Sequence, residues 1–374
     1  MPLQVHWFLP TAGDSRDVSG GGISKTISNA DSTWRAPDID YLAQVARAAE
    51  QAGFTAVLTP TGTWCEDAWL TTAALTRETT RLKFLVAFRP GAVSPTLAAQ
   101  MAATYQRLSG GRLLLNVVTG GDPAEQQRFG DWLTHDERYA RTGEFLSIVR
   151  GAWSGDPYDF AGEHYTTAGA TVSVPPDPIP QIFFGGASPA AVDIAARHAD
   201  VYLTWGEPPA AVALRIAEVR RLAELQGREV TFGIRMHVIT RDTAAEAWAR
   251  ADQLLSRMDP AAIASAQAAF ARADSVGQQR MSALHGGSTS DLEIYPNVWA
   301  GVGLIRGGAG TALVGAHEQV AERIEEYHAL GLDHVILSGQ PHLEEAYQFG
   351  EGVLPLLRAR GLTAPVELES AQRR

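Results

Sequence analysis

The sequence predicts an α/β protein folded as a closed (β/α)8 TIM barrel with insertions, the largest of them between strands seven and eight. The first observation is that eight short apolar segments alternate with segments of helical periodicity, as expected for parallel strands joined by helices. The second is that no Gly-x-Gly-x-x-Gly motif follows the first strand, which disfavours a doubly wound open sheet. We therefore expect residues 1–374 to form one domain.

The predicted elements alternate in order along the chain. Apolar and β-branched residues predict strands at Val5–Leu9, Thr55–Thr59, Leu82–Phe88, Leu113–Val118, Ile182–Phe184, Val201–Thr204, Thr231–Ile239 and His334–Ser338. Apolar residues three or four positions apart predict helices at Asp40–Gln51, Asp67–Glu78, Ser94–Leu108, Arg138–Trp153, Pro189–His198, Pro208–Gln226 and Leu343–Leu357.

Two segments do not fit this alternation. Residues 12–37 are polar and rich in glycine and serine, which predicts a functional lid or a disordered loop. Residues 242–315 are too long for one crossover helix. Two alanine-rich helices are predicted there, at Thr243–Met258 and Pro260–Ala273, and they indicate an insertion or lid over one end of the barrel. Within it, the glycine-rich residues 301–315 carry Arg306. We interpret them as a mobile segment whose cation closes over an anion, the alternative being a linker with a solvated arginine.

The composition excludes several classes of protein. The net charge is −11, and the absence of a long basic run makes nucleic-acid binding unexpected. Cys65 is the single cysteine and the histidines are scattered, so we expect neither an intramolecular disulfide nor a metal site. No signal peptide and no apolar run of about 18 residues is present. We therefore expect a cytoplasmic protein without a membrane span.

The strand at residues 231–239 carries two groups that indicate a function. In a strand, Arg235 and His237 point to the same face, about 7 Å apart. Buried cationic groups are costly unless something polar or anionic meets them. A neighbouring acidic side chain would be the structural explanation, and an anion-binding, proton-handling site is the functional one.

The working groups of barrel enzymes lie at the carboxyl ends of the strands. Two Gly-Gly turns occur there, and the second is followed by Ser188 at the start of a helix. Such turns let backbone amides approach a phosphate closely, although tight packing alone also explains a Gly-Gly pair. Together they favour a phosphorylated cofactor. Cys65 has no histidine nearby in sequence, which favours a polar contact over covalent catalysis.

Longer motifs make the chain resemble a known family. They are His6–Thr11, Pro60–Gly62 with Cys65–Trp69, Val118–Pro123, Tyr202–Pro209, Asp274–Met281, the glycine segment around Arg306, and Pro341–Tyr347. Together they resemble the reduced-flavin-dependent alkanesulfonate monooxygenases of the bacterial luciferase-like superfamily, over nearly the whole chain. The resemblance implies a luciferase-like barrel.

The resemblance also implies a reaction. A separate NAD(P)H-dependent flavin reductase supplies reduced FMN (FMNH2), O2 is the co-substrate, and the carbon that bears the sulfonate is oxygenated. The C–S bond then breaks and releases sulfite and an aldehyde. A homodimer or homotetramer is implied by the family as well.

The resemblance assigns roles to residues of this sequence. Arg235 and Arg306 can pair with the sulfonate, and His237 can take part in proton transfer. Cys65 matches the family's active-site cysteine near the flavin, and Trp205 would wall the substrate pocket. The remaining assignments are Phe8, Gln340 and His342 beside the substrate, Asn116 and Thr119 near the flavin ring, and His135, Tyr139, Gly186 and Ser188 near the ribityl chain and phosphate.

Two departures from the family bear on the substrate. Gln340 stands where the family commonly has a tyrosine, and an amide cannot act as an acid near neutral pH. The polar loop from Asp14 to Pro37 is also longer than in the familiar alkanesulfonate enzymes. Both changes suggest a hydroxylated substrate such as the sulfosugar sulfoquinovose. The alternatives are a luciferase-like flavin monooxygenase for a non-sulfonate substrate and a non-enzymatic flavin- or anion-binding barrel.

Overall fold

The computed structural model describes residues 1–18 and 33–364. Residues 19–32 of the predicted polar loop lie outside the described residues. The strands are β1 (Gln4–Phe8), β2 (Ala56–Thr59), β3 (Lys83–Phe88), β4 (Leu113–Val117), β5 (Tyr158–Ala161), β6 (Thr166–Ala170), β7 (Ile182–Gly185), β8 (Val201–Trp205), β9 (Thr231–Arg235), β10 (His237–Arg241), β11 (Glu293–Tyr295), β12 (Val298–Trp299), β13 (Ala312–Ala316) and β14 (His334–Ile336).

The helices lie mainly between these strands. They are α1 (Ile39–Ala52), α2 (Ala68–Leu75), α3 (Pro95–Ser109), α4 (Pro123–Arg128), α5 (His135–Ala152), α6 (Pro189–His198), α7 (Pro209–Leu225), α8 (Ala244–Ser256), α9 (Pro260–Phe270), α10 (Val276–His285), α11 (His317–Ala329), α12 (His342–Gly352) and α13 (Leu354–Ala359). In the described part of the chain, no helix is both long and apolar enough to cross a bilayer.

The predicted (β/α)8 barrel is confirmed. The strands β1, β2, β3, β4, β7, β8, β9 and β14 close into one sheet in that order, and every neighbouring pair is parallel. All of their carboxyl ends therefore meet on one face of the barrel, where the predicted site residues were expected.

The barrel strands are buried on both faces. On β1, Val5 and Trp7 point outward into the core between strands and helices, whereas Phe8 belongs to the separate cluster inside the barrel. This two-sided burial explains why the strands are continuously apolar rather than alternating with polar residues. The same continuity made their positions predictable.

One predicted strand is wrong. Residues 231–239 do not form a single strand, because the chain changes partners at Met236. The Met236 amide still donates to the Ile336 carbonyl in the barrel at 3.0 Å, but the His237 amide donates to the Thr311 carbonyl at 2.8 Å. Strand β10 thus pairs with β13 in a second sheet of order β10-β13-β12-β11, while on its other edge the Val238 amide still donates to the Ser338 carbonyl at 2.9 Å.

The second sheet and α8 to α10 make up most of the insertion between β9 and β14, and the two alanine-rich helices form where they were predicted. The glycine-rich residues 301–315 are packed rather than open. Residues Gly301–Leu304 form a buried 3-10 turn, and a Cβ on Gly310 would lie 2.8 Å from the Cα of Gly303. The glycines therefore allow two backbone segments to touch.

Two helix boundaries also differ from the prediction. Helix α5 begins at His135 and not at Arg138, because Thr134 and Glu137 form a capping box that starts the helix one turn earlier. The predicted helix over residues 343–357 is two helices, α12 and α13, which meet at Val353.

Two histidines stack inside the barrel. Nε2 of His6 lies 3.0 Å from Nδ1 of His334, and the rings are nearly parallel at 5.3 Å between centroids. Burial lowers the pKa of His334 to about 4, and burial together with the neighbouring His334 lowers the pKa of His6 well below its usual value. The folded barrel therefore excludes protons that the unfolded chain would bind.

We expect this pair to make the protein less stable in acid. Between about pH 6.5 and pH 4, His334 binds a proton in the unfolded state but not in the folded state. The free energy of unfolding therefore decreases as the pH is lowered through this range. His334→Gln removes this group. When the pH is lowered from 7.5 to 5, the free energy of unfolding should therefore decrease by about 2 kcal/mol less in the variant than in the wild type. Urea unfolding at the two pH values measures the difference. Equal pH slopes for both proteins would contradict it.

Candidate active site

A cavity of about 230 Å³ opens at the carboxyl ends of the barrel strands. All six residues predicted to hold a cofactor line it, as do Trp205 and Arg235. Its floor includes Leu58 and Leu203, and residues 274–277 of the insertion form part of its wall. The six residues are Asn116, Thr119, His135, Tyr139, Gly186 and Ser188.

One end of the cavity contains groups that suit an anion. Ser188 is the N-cap of α6, and its Oγ accepts a hydrogen bond from the Ala191 amide at 3.3 Å. Because Pro189 has no amide hydrogen, the Ala190 amide and the positive end of the helix dipole are left to attract negative charge. A Cβ on Gly186 would come within 2.5 Å of the Ala191 Cβ and 3.1 Å of the Tyr139 hydroxyl. Glycine is therefore required where the chain turns into α6.

The polar residues at this end are held by neighbouring groups. The Tyr202 hydroxyl donates to the Gly186 carbonyl at 2.6 Å. Burial raises the pKa of Tyr139 to about 12, so its hydroxyl stays protonated and can donate. The His135 and Tyr139 rings lie 4.8 Å apart, and the Thr119 and Thr142 hydroxyls are 3.3 Å apart.

The insertion is attached to the barrel at the rim of this cavity. Glu207, just after β8, forms an ion pair with Arg280 of α10 at 2.7 Å. The Asp274 amide donates to the Gly121 carbonyl at 3.0 Å. These contacts place α10 beside the strand ends and explain why the cavity has walls from both parts of the chain.

Two guanidinium groups lie close to the ring of Phe8 at the end of β1. The central carbon of Arg235 lies 4.9 Å from the ring centroid and that of Arg306 lies 5.7 Å from it. Burial lowers the pKa of both arginines; the charge of Arg306 adds to the effect on Arg235, and the Asp14 carboxylate opposes it at Arg306. Because guanidinium groups stay charged in proteins, this loss of hydration favours binding of an anion between them.

Ser338 connects Arg235 to His237. Arg235 donates to the Met236 carbonyl and, at 2.8 Å, to the Ser338 hydroxyl. Nε2 of His237 is 3.1 Å from the Ala309 carbonyl, which can only accept, so this nitrogen carries the proton. Nδ1 therefore accepts from the Ser338 hydroxyl at 2.8 Å. Burial and the two arginine charges lower the pKa of His237 well below its usual value.

A narrow pocket next to this pair of arginines is lined by Phe8, Arg306 and His342. The Phe8 and His342 rings are 5.5 Å apart. Asp14, which is also buried, lies behind His342, with its Oδ1 2.9 Å from Nδ1 of the histidine. The structure thus brings the predicted substrate residues Phe8 and His342 together with both predicted sulfonate-binding arginines.

Among the described residues, Cys65 and Gln340 line neither of these two pockets. The Sγ of Cys65 faces the carbonyl oxygens of Pro60 and Gly62 at 3.8 and 3.7 Å. Gln340 is buried, and its backbone carbonyl accepts from Arg250 at 3.1 Å. The roles given to both residues stay predictions.

We expect Cys65 to react slowly with alkylating reagents. Burial raises its pKa to about 12, which lowers the thiolate fraction at pH 8 about 1000-fold relative to an unperturbed thiol. The higher nucleophilicity of a more basic thiolate recovers part of this, so iodoacetamide should react roughly 30-fold more slowly than with free cysteine. Mass spectrometry of the labelled protein measures the rate. A rate equal to that of free cysteine would show that the thiol is activated.

Two residues of the site were not assigned from the sequence. Ser338 follows the last strand, but nothing in its surroundings along the chain shows that it joins Arg235 to His237. Asp14 lies in the polar loop, and its partner His342 is 328 residues away. In the described ranges 1–18 and 33–364, no group of three or more metal-binding side chains was found.

The fold and the site define a class of protein: a (β/α)8 barrel with a helix N-terminus and two arginines beside neighbouring pockets at its carboxyl face. The family model for luciferase-like monooxygenases matches residues 3–334. The chain belongs to the luciferase-like monooxygenase family.

Solved structures share this fold. Riboflavin lyase (RcaE), solved with a modified FMN and its substrate riboflavin, superposes with a TM-score of 0.80 at 20% identity, covering 97% of this chain and 93% of that one. The EDTA monooxygenase EmoA of Chelativorans sp. BNC1 superposes with a TM-score of 0.77 at 21% identity, covering 97% of this chain and 95% of that one. DmoA of Hyphomicrobium sulfonivorans superposes with a TM-score of 0.78 at 19% identity, covering 97% of this chain and 90% of that one. At these sequence identities, the comparison shows a shared fold and no more.

Proposed function

We propose that this protein is the oxygenase of a two-component system that uses reduced FMN and O2 to release sulfite from an organosulfonate, leaving an aldehyde. An NAD(P)H-dependent flavin reductase is the proposed electron source, and a homodimer or homotetramer in the cytoplasm is the proposed assembly. These parts of the proposal rest on the resemblance of the sequence motifs.

The observation that carries the proposal is the pair of arginines beside the ring of Phe8. Arg235 is buried, Arg306 is partly buried, and burial disfavours the charge of both. The Asp14 carboxylate opposes the effect of burial at Arg306 and so helps to keep that group charged. A sulfonate is a monoanion with three acceptor oxygens, which can bind both guanidinium forks.

The cavity beside this pair fits FMN. The N-terminus of α6, the close turn at Gly186 and the Ser188 cap suit the phosphate group, and the Tyr139 hydroxyl can donate to it. The more apolar floor toward Leu58 and Leu203 suits a flat ring. Reduced FMN would supply the electrons that activate O2. The RcaE structure, which has the same fold, contains a modified FMN.

The residues of this chain would divide the remaining work. Arg235 and Arg306 hold the sulfonate, and Phe8 and Trp205 wall the pocket against water. His237 is held as the neutral Nε2–H tautomer, so any proton that it takes must arrive at Nδ1 through Ser338. Gln340 and the long polar segment after Asp14 favour a hydroxylated sulfonate such as sulfoquinovose.

Sulfite release tests the proposal. The purified protein is supplied with FMN, NADH or NADPH and a generic flavin reductase, and linear alkanesulfonates, methanesulfonate, taurine and sulfoquinovose are compared. We expect O2-dependent sulfite from at least one of them. Release from simple alkanesulfonates but not from sulfoquinovose would contradict the sulfosugar hypothesis. No sulfite from any sulfonate, with reduced FMN still bound, would favour the alternative, a flavin monooxygenase for another substrate.

A further inference from the structure

Asp14 and His342 form a buried pair that no assigned role explains. Both side chains are at most 3% exposed. Asp14 Oδ1 lies 2.9 Å from Nδ1 of His342, and Oδ2 accepts from the His342 backbone amide at 2.7 Å. The Tyr41 hydroxyl also donates to Oδ2. The carboxylate is therefore fixed on two sides, and one oxygen is directed at the imidazole.

This arrangement keeps Asp14 ionised. Burial alone would raise its pKa, but His342 and the Tyr41 hydroxyl outweigh burial and lower it. An ionised carboxylate against Nδ1 holds the proton on that nitrogen, so the lone pair of His342 is on Nε2. The same carboxylate stabilises the imidazolium that forms when Nε2 takes up a proton.

His342 borders the proposed sulfonate site, and its Nε2 is buried and makes no hydrogen bond within the described residues. Its ring lines the narrow pocket together with Phe8 and Arg306, and Phe8 is the ring that both arginines contact. A polar atom buried without a partner is costly, and a ligand group that donates a hydrogen bond there would remove that cost.

We propose that His342, positioned by Asp14, is the general base that releases sulfite after the substrate carbon has been oxygenated; this inference rests on the proposed function. Oxygenation of the substrate carbon gives a 1-hydroxysulfonate. Nε2 takes its hydroxyl proton, the O–H electron pair becomes the second bond of the aldehyde carbonyl, and the C–S electron pair leaves with sulfite. The substrate anion and neutral histidine become an aldehyde, a sulfite dianion and an imidazolium, so atoms and charge balance.

Asp14→Asn tests the positioning role. The His342 amide and the Tyr41 hydroxyl both donate to the Oδ2 position, whereas one backbone amide, that of Ser15, donates to Oδ1. The amide oxygen of asparagine should therefore occupy the Oδ2 position. The amide NH2 then faces Nδ1 and forces the proton onto Nε2, where the lone pair is needed. The side chain keeps its size and two of its hydrogen bonds, but the histidine is in the wrong tautomer.

The probe is hydroxymethanesulfonate, which already carries the hydroxyl and sulfonate groups and needs neither reductase nor O2. We expect the wild-type protein to accelerate its breakdown to formaldehyde and sulfite. Asp14→Asn and His342→Ala should each lower this acceleration about 100-fold or more, the usual contribution of a general base. Binding of methanesulfonate, measured by calorimetry, should change less than threefold for Asp14→Asn.

Glu344→Gln is the matched control. Glu344 lies two residues after His342 on α12 and pairs with Arg35 at the surface, so its loss loosens the same helix start without touching the imidazole. We expect its probe activity within twofold of the wild type. Wild-type activity in Asp14→Asn, or a loss matched by equally weakened methanesulfonate binding, would overturn the inference.

The two assays distinguish failure of the inference from failure of the proposed function. If the oxidative assay releases sulfite but the wild-type protein does not accelerate breakdown of the probe, the inference about His342 is wrong and the proposed function stands. If the probe is broken down but no sulfonate yields sulfite with reduced FMN and O2, the proposed function is wrong, and with it the inference.

Discussion

Arg235→Gln should raise the Kd for sulfonates about 30- to 5000-fold, the effect of removing one partner of a buried, hydrogen-bonded ion pair (~2–5 kcal/mol). Glutamine is polar and of similar length, so it can still donate to Ser338, which limits damage to the hydrogen bonds around His237. Calorimetry with methanesulfonate measures the change, and kcat/KM in the sulfite assay should fall in parallel.

Arg197→Gln is the control for this change. Arg197 lies on the outer face of α6 in an exposed pair with Asp193, and exposed pairs of this kind contribute little. We expect unchanged sulfonate binding in this variant. If Arg235→Gln also leaves sulfonate binding unchanged, the arginine pair does not hold the anion, and the observation that carries the proposed function is lost.

Gly186→Ala should weaken FMN binding about 10- to 150-fold, corresponding to one or two lost hydrogen bonds to a charged phosphate. The new methyl group would lie 2.5 Å from the Ala191 Cβ, so the first turn of α6 must move away from the turn that precedes it. Because the proposed phosphate site consists of amides from both segments, its geometry is lost. Fluorescence quenching on titration with FMN measures the affinity.

Gly155→Ala separates this effect from backbone strain. Gly155 has a φ of +93° in a turn outside the cavity, and an added Cβ would meet only the Pro175 Cγ at 3.7 Å. Backbone strain should cost about 1 kcal/mol of stability at either position, with a further cost at Gly186 from the contact with Ala191. Gly155→Ala should nevertheless bind FMN normally. Equal FMN affinities for the two variants would show that the α6 terminus is not the phosphate site.

The barrel was predictable because its signal is local. Each parallel strand is a short apolar run, and each helix carries its own start signal, such as Ser94 before Pro95 or Ser188 before Pro189. The start of α5 was predictable too, because the Thr134–Glu137 capping box is visible in the sequence. It was missed because the apolar periodicity begins one turn later.

Features that depend on distant partners were not predictable. The break at Met236 leaves no mark in the apolar pattern, since both halves of the segment are buried and only their pairing partners differ. The cofactor residues were assigned by resemblance, and the structure brings all six to one cavity. The Asp14–His342 pair joins the two ends of the chain, and neither residue shows by itself that it needs the other.

The change of partners at Met236 has a consequence for how substrate range can be altered. Arg235 belongs to the barrel and Arg306 to the insertion. The two arginines of the proposed sulfonate site therefore lie in separate parts of the chain. Substitutions confined to residues 300–311 can shift the second guanidinium while the β7–α6 turn stays as it is. If the proposed function holds, variant libraries limited to that segment should change the accepted anion and leave the proposed flavin site as it is.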